Sequence, residues 1–134
     1  MEFSAPRFMI SGAFTGVGKS IFGLGLAVAL RKRNIGLSCC VKGPNLLQAN
    51  IYHRLSRRFT RTFDDQLLDS KQILLTLRQA SIGAELVMIE GESGLYDGIR
   101  PGVSAGSDAA LAADLSTPVI AVLNPGRYGA SLAA

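Results

Sequence analysis

Short apolar runs separated by turn residues recur along the chain and predict alternating strands and helices. The short runs are rich in aliphatic residues and are bounded by Gly, Pro or charged residues, which is typical of buried strands. Longer segments repeat apolar residues three and four positions apart, as helices do. Four strands are predicted at Phe8–Ile10, Ile35–Lys42, Leu86–Ile89 and Val119–Leu123, and three helices at Ser20–Arg33, Asp69–Ala80 and Asp108–Leu115. This alternation predicts an α/β fold with a mainly parallel sheet flanked by helices.

The first predicted helix, Ser20–Arg33, carries apolar residues around most of its circumference, including Ile21, Leu24 and Val28. A helix that is apolar on most sides is normally buried, so we expect this one to be largely covered. The basic run Arg31–Arg33 favours the negative end of the helix dipole and marks the carboxyl end of the helix.

Two segments lack a regular apolar pattern. Residues 91–106 are rich in glycine and are predicted to form a mobile loop. Residues 45–69 carry four arginines, and if this segment is helical the spacing places on one face Arg54, Arg57, Arg58 and Arg61. Such a face could bind a substrate rich in carboxylates, and the alternative is an ordinary solvated surface.

The stretch from Phe8 to Ser20 reads as a strand, a glycine-rich turn and the start of a helix. Backbone N–H groups can approach a phosphate closely at Gly16 and Gly18, because glycine has no Cβ. Lys19 adds a positive charge, the hydroxyl of Ser20 can reach a magnesium ion, and the amino end of the helix is itself positive. The stretch therefore predicts a phosphate-binding loop, although its first glycine lies one position earlier than in the strict pattern.

A carboxylate follows the third predicted strand directly, at Glu90. Parallel strands of one sheet end at the same edge, so Glu90 is expected to lie beside the phosphate loop. A carboxylate at this place commonly holds the magnesium ion of a nucleotide, directly or through water. The alternative is an acid that only caps a neighbouring turn.

Composition narrows the class of protein. The chain has 134 residues, of which 48% are hydrophobic, and 15 glycines, as expected for one α/β domain. A net charge of +4 is compatible with anionic small molecules and with nucleic acid, and alone decides nothing. Cys39 and Cys40 are neighbours in an apolar run, which indicates buried thiols in a cytoplasmic protein. No segment has the roughly 18 apolar residues that would cross a membrane.

With these elements placed, the sequence resembles the amino-terminal ATP-dependent domain of the cobyrinic acid a,c-diamide synthase family. The motifs that carry the resemblance are Gly12 with Thr15-Gly16-Val17-Gly18-Lys19-Ser20, Lys42-Gly43-Pro44, Arg61 with Phe63-Asp64, Ile89-Glu90-Gly91, Gly94-Leu95-Tyr96-Asp97-Gly98 and Pro118-Val119-Ile120. They follow the family's order and span almost the whole chain. The resemblance implies a three-layer P-loop NTPase-like fold, with dethiobiotin synthetase as a more distant relative. Residues 129–134 have the composition of a helix that has only begun, so we expect residues 1–134 to be a synthetase domain truncated at its carboxyl end.

The resemblance implies a ligase that uses ATP and Mg²⁺. In the family, ATP converts a peripheral carboxylate of a corrin-type tetrapyrrole into an acyl phosphate, and ammonia then forms the amide. The ammonia comes from glutamine, hydrolysed by a glutaminase domain that we expect to be absent from these residues. The implied partners are a polycarboxylate tetrapyrrole and that glutaminase domain, without nucleic acid or membrane, and a homodimer is one option for assembly.

The resemblance also assigns roles by position. ATP is expected to bind at Gly12, Thr15, Gly16, Val17, Gly18, Lys19 and Ser20. Lys19 and Asp97 are expected to act in catalysis, and Mg²⁺ is expected at Ser20 and Glu90. Substrate contacts are expected from Asn45, Gln48, His53, Arg57, Arg58 and Asp64, of which the two arginines are chosen for their spacing. The alternatives for His53, Asp64 and Asp97 are a surface histidine and two turn aspartates.

The chain departs from the family where negative charge is expected. Two aspartates usually follow Gly-Pro, three residues apart, and this chain has Asn45 and Gln48. Asn124 also stands where an aspartate commonly follows the last strand. Each exchange keeps the shape but loses a charge that helps to organise metal and ATP, so a second hypothesis is a nucleotide-binding module without efficient ligase activity. A partition-type ATPase is disfavoured, because Phe14 replaces its signature lysine.

Overall fold

The computed structural model describes residues 5–127, 129 and 131, and these form five strands and four helices. In chain order the elements are β1 (Arg7–Gly12), α1 (Lys19–Lys32), β2 (Leu37–Lys42), α2 (Leu46–Ser56), β3 (Arg61–Phe63), α3 (Ser70–Ser81), β4 (Leu86–Gly94), α4 (Asp108–Asp114) and β5 (Val119–Val122). Among the described residues, no helix is both long and apolar enough to span a membrane.

The strands form one sheet in the order β3-β2-β4-β1-β5, and every pairing is parallel. The predicted α/β fold with a parallel sheet is therefore confirmed. The sequence predicted four of the five strands, and the strand that was missed is β3. It has three residues and lies at the edge of the sheet, so it is too short to show an alternation of apolar and polar positions.

Helices cover both faces of the sheet, which gives the predicted three layers. On one face α1 and α2 contribute Ala27, Ala49 and Tyr52 to a core that includes Ile10 and Met88. On the other face the core is built by α3 and α4 with alternate strand residues, namely Met9, Cys40, Phe63, Ile73, Leu77, Val87, Ile89, Leu111, Ala112 and Leu115. Successive strand residues point to opposite faces, so the two cores interleave along each strand.

Both cysteines are free and fully buried, as predicted, and they lie on opposite faces of β2. Burial raises the pKa of each thiol to about 12. The thiols therefore stay neutral and act as small apolar side chains in the two cores.

The prediction that the first helix is largely buried was wrong. Its buried residues are Lys19, Gly23 and Ala27, whereas Ile21 is 81% exposed and Val28 is 38% exposed. The fully buried apolar positions are small because the helix approaches the sheet and α2 closely, whereas Leu24, Leu26 and Leu30 are only half-buried against the core. The basic carboxyl end was predicted correctly, since α1 ends at Lys32.

The arginine-rich segment folds as a helix followed by a strand. Because α2 ends at Ser56 and Arg61 begins β3, the four arginines do not share a helical face. Arg57 ends the helix in the left-handed conformation, with φ of 55°. The predicted arginine face is therefore wrong.

Of the two predicted helix caps, one is confirmed and one is wrong. The spacing of Asp69 and Gln72 predicts a capping box, and they form one at the start of α3. Asp108 was expected to cap α4, but the cap is Ser107, whose side chain accepts from the N–H of Ala110, and Asp108 is the first helical residue. The strand that contains Glu90 also runs further than predicted, to Gly94. The short helical start predicted at residues 129–134 falls largely outside the described residues.

Candidate functional site

A cleft of about 630 Å³ opens at the carboxyl ends of β1, β2 and β4. It is lined by residues from four segments, namely Thr15, Gly16, Gly18, Lys19, Ser20, Ile21, Val41, Lys42, Pro44, Asn45, Gln48, Glu90, Gly91 and Glu92. Ligands of open parallel sheets bind at this edge, where strand ends and helix amino ends meet. The cleft brings together the predicted phosphate loop and Glu90, the carboxylate that was predicted to hold magnesium.

Close packing forms the base of the phosphate loop. A Cβ on Gly12 would overlap the Val17 side chain and lie 3.2 Å from Cγ of Lys19, so only glycine fits where β1 ends. Gly16 and Gly18 have φ of 88° and 111°, values that favour glycine. Among the described residues, the N–H groups of Gly16 and Gly18 have no hydrogen-bond acceptor. They are therefore available to an anion in the cleft.

Lys19 and Ser20 begin α1 and line the cleft. Lys19 is only 6% exposed, and within the described ranges no carboxylate lies at ion-pair distance from its ammonium group. The first turn of α1 contains no acidic residue, so the positive end of the helix dipole is not neutralised locally. A buried, unneutralised charge of this kind is suited to a phosphate.

Glu90 is held by three side-chain donors. The Ser20 hydroxyl donates to Oε1 at 2.5 Å, and Gln48 Nε2 donates to Oε2 at 3.1 Å. The hydroxyl of Tyr52 donates to the same Oε2. Glu90 is 5% exposed, so these bonds replace much of the hydration that the carboxylate loses.

The Tyr52 contact was not predicted, because an aromatic residue on a helix normally reads as a core residue. Tyr52 is fully buried, and its hydroxyl reaches Glu90 beside Gly23 of α1. Burial and the neighbouring carboxylate raise the pKa of Tyr52, which keeps the phenol protonated and able to donate. No local sequence signal could have revealed this contact.

A second charged cluster also escaped prediction. The Lys42 ammonium, at the end of β2, donates to the Gly106 carbonyl at 2.7 Å and lies 3.5–3.8 Å from the carboxylates of Asp65, Glu92 and Asp108. Asp108 is fully buried, and burial raises its pKa. The Ser11 hydroxyl at 2.6 Å and the Glu92 N–H at 3.1 Å oppose that effect by donating to the carboxylate. The sequence offered Asp108 only as a helix cap.

Asn45 and Gln48 both line the cleft. The Asn45 side chain caps α2 by accepting from the N–H of Gln48 at 3.1 Å. Asp97 does not line the cleft, and its carboxylate accepts from the Gly94 N–H at 3.0 Å within a turn.

The remaining predicted substrate residues lie away from the cleft lining. His53 borders a smaller cavity of about 310 Å³, which Phe59 and Thr62 also line, and its Nδ1 lies 2.9 Å from the Arg58 carbonyl oxygen. Asp64 follows β3 and accepts from the Gln66 N–H at 3.0 Å, as a turn aspartate does.

Arg57 and Arg58 follow the carboxyl end of α2. They lie on the side of the sheet where the strands begin, whereas the phosphate loop lies on the side where the strands end. Arg58 donates to the carbonyls of Ile82 and Gly83, which precede β4. The structure therefore does not bring these two arginines together with Lys19 and Glu90.

The residues of the cleft fit a nucleotide with a magnesium ion. Among the described residues, no cluster of three or more His, Cys, Asp or Glu side chains could hold a metal alone. Magnesium in nucleotide sites takes one or two protein oxygens and completes its shell with phosphate oxygens and water. The adjacent oxygens of Ser20 and Glu90 can supply that protein share.

Comparison with known proteins gives one consistent result. The chain is 35% identical over 124 residues, or 92% of its length, to the cobyrinate a,c-diamide synthase of Leptospira interrogans. The enzymes of that name from Syntrophotalea carbinolica and Archaeoglobus fulgidus are 34% and 32% identical over 98% and 100% of the chain. The chain spans 27–29% of the length of these relatives. No protein-family model matches it.

These similarities cover 92–100% of the chain, and all three relatives carry the same name. They run through the phosphate loop, the Glu90 strand and the Gly94–Gly98 turn, the segments that carried the resemblance in the sequence. The predicted resemblance is thereby confirmed, and nearly the whole chain is related in sequence to one segment of the cobyrinate a,c-diamide synthases.

Proposed function

We propose that the chain forms the ATP site of a ligase that amidates carboxylates of a corrin-type tetrapyrrole. One observation carries the proposal: a single cleft holds free loop N–H groups, the unneutralised Lys19 and the Ser20–Glu90 pair. The relatives named above carry the name of an enzyme of this kind. The proposed cofactors are ATP and Mg²⁺, and residues 1–134 are the proposed synthetase domain of a longer cytoplasmic protein.

Each group in the cleft has a proposed task in phosphoryl transfer. The N–H groups of Gly16 and Gly18 orient the phosphates, and Lys19 stabilises the charge that develops on the transferred group. Ser20 and Glu90 hold Mg²⁺, which neutralises negative charge on the phosphates when it is bound. Gly12, Thr15 and Val17 shape the loop around them.

Activation of the substrate explains why ATP is needed. A carboxylate is a poor electrophile, and its oxygen attacks the γ-phosphorus of ATP to give an acyl phosphate and ADP. Ammonia then attacks the acyl carbon, and inorganic phosphate leaves as the amide forms. Asp97 is the proposed residue for orienting the substrate carboxylate, and Asn45, Gln48, His53 and Asp64 stay as proposed substrate residues. Arg57 and Arg58 are no longer proposed, because the helical face that suggested them does not form.

The ammonia is proposed to come from another part of the protein. Cys39 and Cys40 are fully buried and have a pKa of about 12, so neither can serve as the exposed thiolate of a cysteine-dependent glutaminase. A glutaminase domain in the longer protein is the proposed source.

The first prediction tests nucleotide binding through Lys19. In the full-length protein, Lys19→Ala should weaken ATP binding about tenfold to a hundredfold, because hydrogen bonds to charged groups contribute about 1.5–3 kcal/mol. Adenosine binding should not change, since Lys19 faces the phosphates. Isothermal calorimetry measures both affinities, and Lys32→Ala, an exposed lysine at the other end of α1, is the matched control. Equal ATP affinity of the wild type and Lys19→Ala would refute the proposal.

A second candidate is a nucleotide-binding module without efficient ligase activity. The observation that favours it is the absence of charge at two positions of the cleft, Asn45 and Gln48. Gln48 contacts Glu90, the proposed magnesium ligand, directly. A site with fewer carboxylates organises Mg²⁺ less well, so turnover would be slow.

The second prediction separates the two candidates. If the missing charges limit turnover, the double variant Asn45→Asp, Gln48→Asp should raise Mg²⁺-dependent acyl-phosphate formation, trapped with hydroxylamine. Asn50→Asp adds one charge at an exposed position of the same helix and should leave the rate unchanged. Fast wild-type turnover with no gain in the double variant would reject the degenerate module.

A further inference from the structure

Glu90 is bound differently through its two oxygens. Oε1 faces the Ser20 hydroxyl at the start of α1, on the side of the phosphate loop. Oε2 is saturated from α2 by Tyr52 and Gln48. The carboxylate cannot rotate without breaking the bonds at Oε2, and Oε1 is therefore the oxygen directed toward a ligand of the loop.

The hydroxyl of Tyr52 donates to Glu90 and also interacts with the Gln48 side chain, so all three side chains meet at one place. The ring is fully buried between α1 and the sheet. A buried phenol that is paired with an ionised carboxylate must donate, because the carboxylate can only accept. Tyr52 thus acts on Glu90 through a charge-assisted hydrogen bond.

Gly23 makes the space for this contact. A Cβ at position 23 would overlap the Tyr52 hydroxyl and lie 3.3 Å from Oε2 of Glu90. Gly25, two residues later on the same helix, has no heavy atom within 4 Å of its corresponding position. Glycine inside a helix costs about 1 kcal/mol relative to alanine, and at position 23 the packing around Tyr52 requires it.

We propose that Tyr52 is a positioning residue, admitted by Gly23, that locks Glu90 so that Oε1 and the Ser20 hydroxyl face the magnesium ion of a bound nucleotide. The inference rests on the proposed function, since it concerns the same nucleotide site. It adds two residues that neither the motifs nor the names of the relatives assign. It also gives Gln48 a definite task, because Gln48 holds the same oxygen.

The test separates metal binding from nucleotide binding in the full-length protein. Tyr52→Phe removes one hydroxyl and keeps the ring, so packing is preserved. Affinity for Mg²⁺–ATP, measured by calorimetry, should fall about threefold to tenfold, the usual effect of one hydrogen bond. Affinity for ATP with excess EDTA should stay within about twofold of the wild type, because the phosphate loop is untouched.

A double-mutant cycle gives an independent readout. Gly23→Ala should weaken Mg²⁺–ATP binding in the wild type, because the new methyl group displaces the Tyr52 hydroxyl. In the Tyr52→Phe background the same substitution should cost much less, because the displaced hydroxyl is absent. Gly25→Ala is the matched control and should leave both affinities unchanged.

The outcomes distinguish the inference from the proposed function. Wild-type protein that binds no ATP would overturn both. Wild-type binding of Mg²⁺–ATP that Tyr52→Phe matches would overturn the inference alone. Equal losses of Mg²⁺–ATP and metal-free ATP, or additive effects of the Gly23 and Tyr52 substitutions, would show that Tyr52 serves only in packing.

Discussion

The pKa of Asp108 is set by two opposing effects, burial of its carboxylate and the groups that compensate the charge. Its carboxylate has no exposed surface and is compensated by the Ser11 hydroxyl, the Glu92 N–H and the more distant Lys42 ammonium. Removal from water dominates, so the pKa of Asp108 is raised. The folded state therefore binds a proton at Asp108 more tightly than the unfolded state does, and ionisation of this group opposes folding.

The third prediction concerns this residue. The stability advantage of the protonated form is complete below the ordinary pKa of aspartate, about 3.9, and is lost as pH rises through the raised pKa. Asp108→Asn should therefore gain free energy of unfolding relative to the wild type as pH rises, by about 1.4 kcal/mol for each unit by which the pKa is raised. Urea unfolding between pH 3.5 and 7.5 measures the difference. Asp114→Asn, exposed on the same helix, should show no such trend, and a difference independent of pH would contradict the assignment.

At the scale of elements, the end of α2 explains why the four arginines of residues 54–61 do not lie on one face. The helix ends at Ser56, and Arg57 adopts φ of 55° and ψ of 24°. The Ser56 hydroxyl accepts from the Arg58 N–H at 3.2 Å, which turns the chain toward β3. A left-handed residue with a side chain costs about 1–2 kcal/mol, so Arg57 occupies a position that favours glycine.

The fourth prediction follows from that conformation. Arg57→Gly should raise the free energy of unfolding by up to about 1 kcal/mol, because glycine adopts positive φ without strain. Arg54→Gly, three residues earlier and inside the helix, should lower it by about 1 kcal/mol. Denaturant unfolding gives both values. Destabilisation by Arg57→Gly would show that the arginine side chain makes a contribution that exceeds the backbone strain.

At the scale of the whole molecule, the cleft joins segments that the chain keeps far apart. The loop after β1, the end of β2, the first turn of α2 and the end of β4 meet because β1 and β2 both pair with β4. A ligand that bridges these segments binds only the folded state. Its binding free energy is then added to the stability of the whole domain.

The fifth prediction uses this linkage. Mg²⁺–ATP at a hundred times its dissociation constant should stabilise the full-length protein by about 2.7 kcal/mol, seen as a higher melting temperature by scanning calorimetry. Excess EDTA should reduce the shift, since Ser20 and Glu90 then hold no metal. Lys19→Ala should show a smaller shift at the same ATP concentration. An equal shift in Lys19→Ala would place the nucleotide elsewhere in the protein.

The sequence by itself determined those features whose physical cause lies within a few neighbouring residues. The strand, glycine turn and lysine of the phosphate loop, the Asp69–Gln72 capping box and the buried Cys39–Cys40 pair all depend on local backbone geometry or local apolarity. The alternation of β1, β2, β4 and β5 with α1, α3 and α4 follows from the same short-range patterns, and with it the parallel α/β fold.

Tertiary structure alone decided which side chains meet. Tyr52 and Glu90 are 38 residues apart, Ser20 and Glu90 are 70 apart, and Ser11 and Asp108 are 97 apart. Only Ser20 and Glu90 were expected to meet, because both belong to a recognisable motif at strand ends. The other pairs depend on packing of α1 and α2 on one face of the sheet and of α4 on the other. Such contacts leave no period or spacing in the sequence, because they depend on the distance between elements rather than on the order of residues within one.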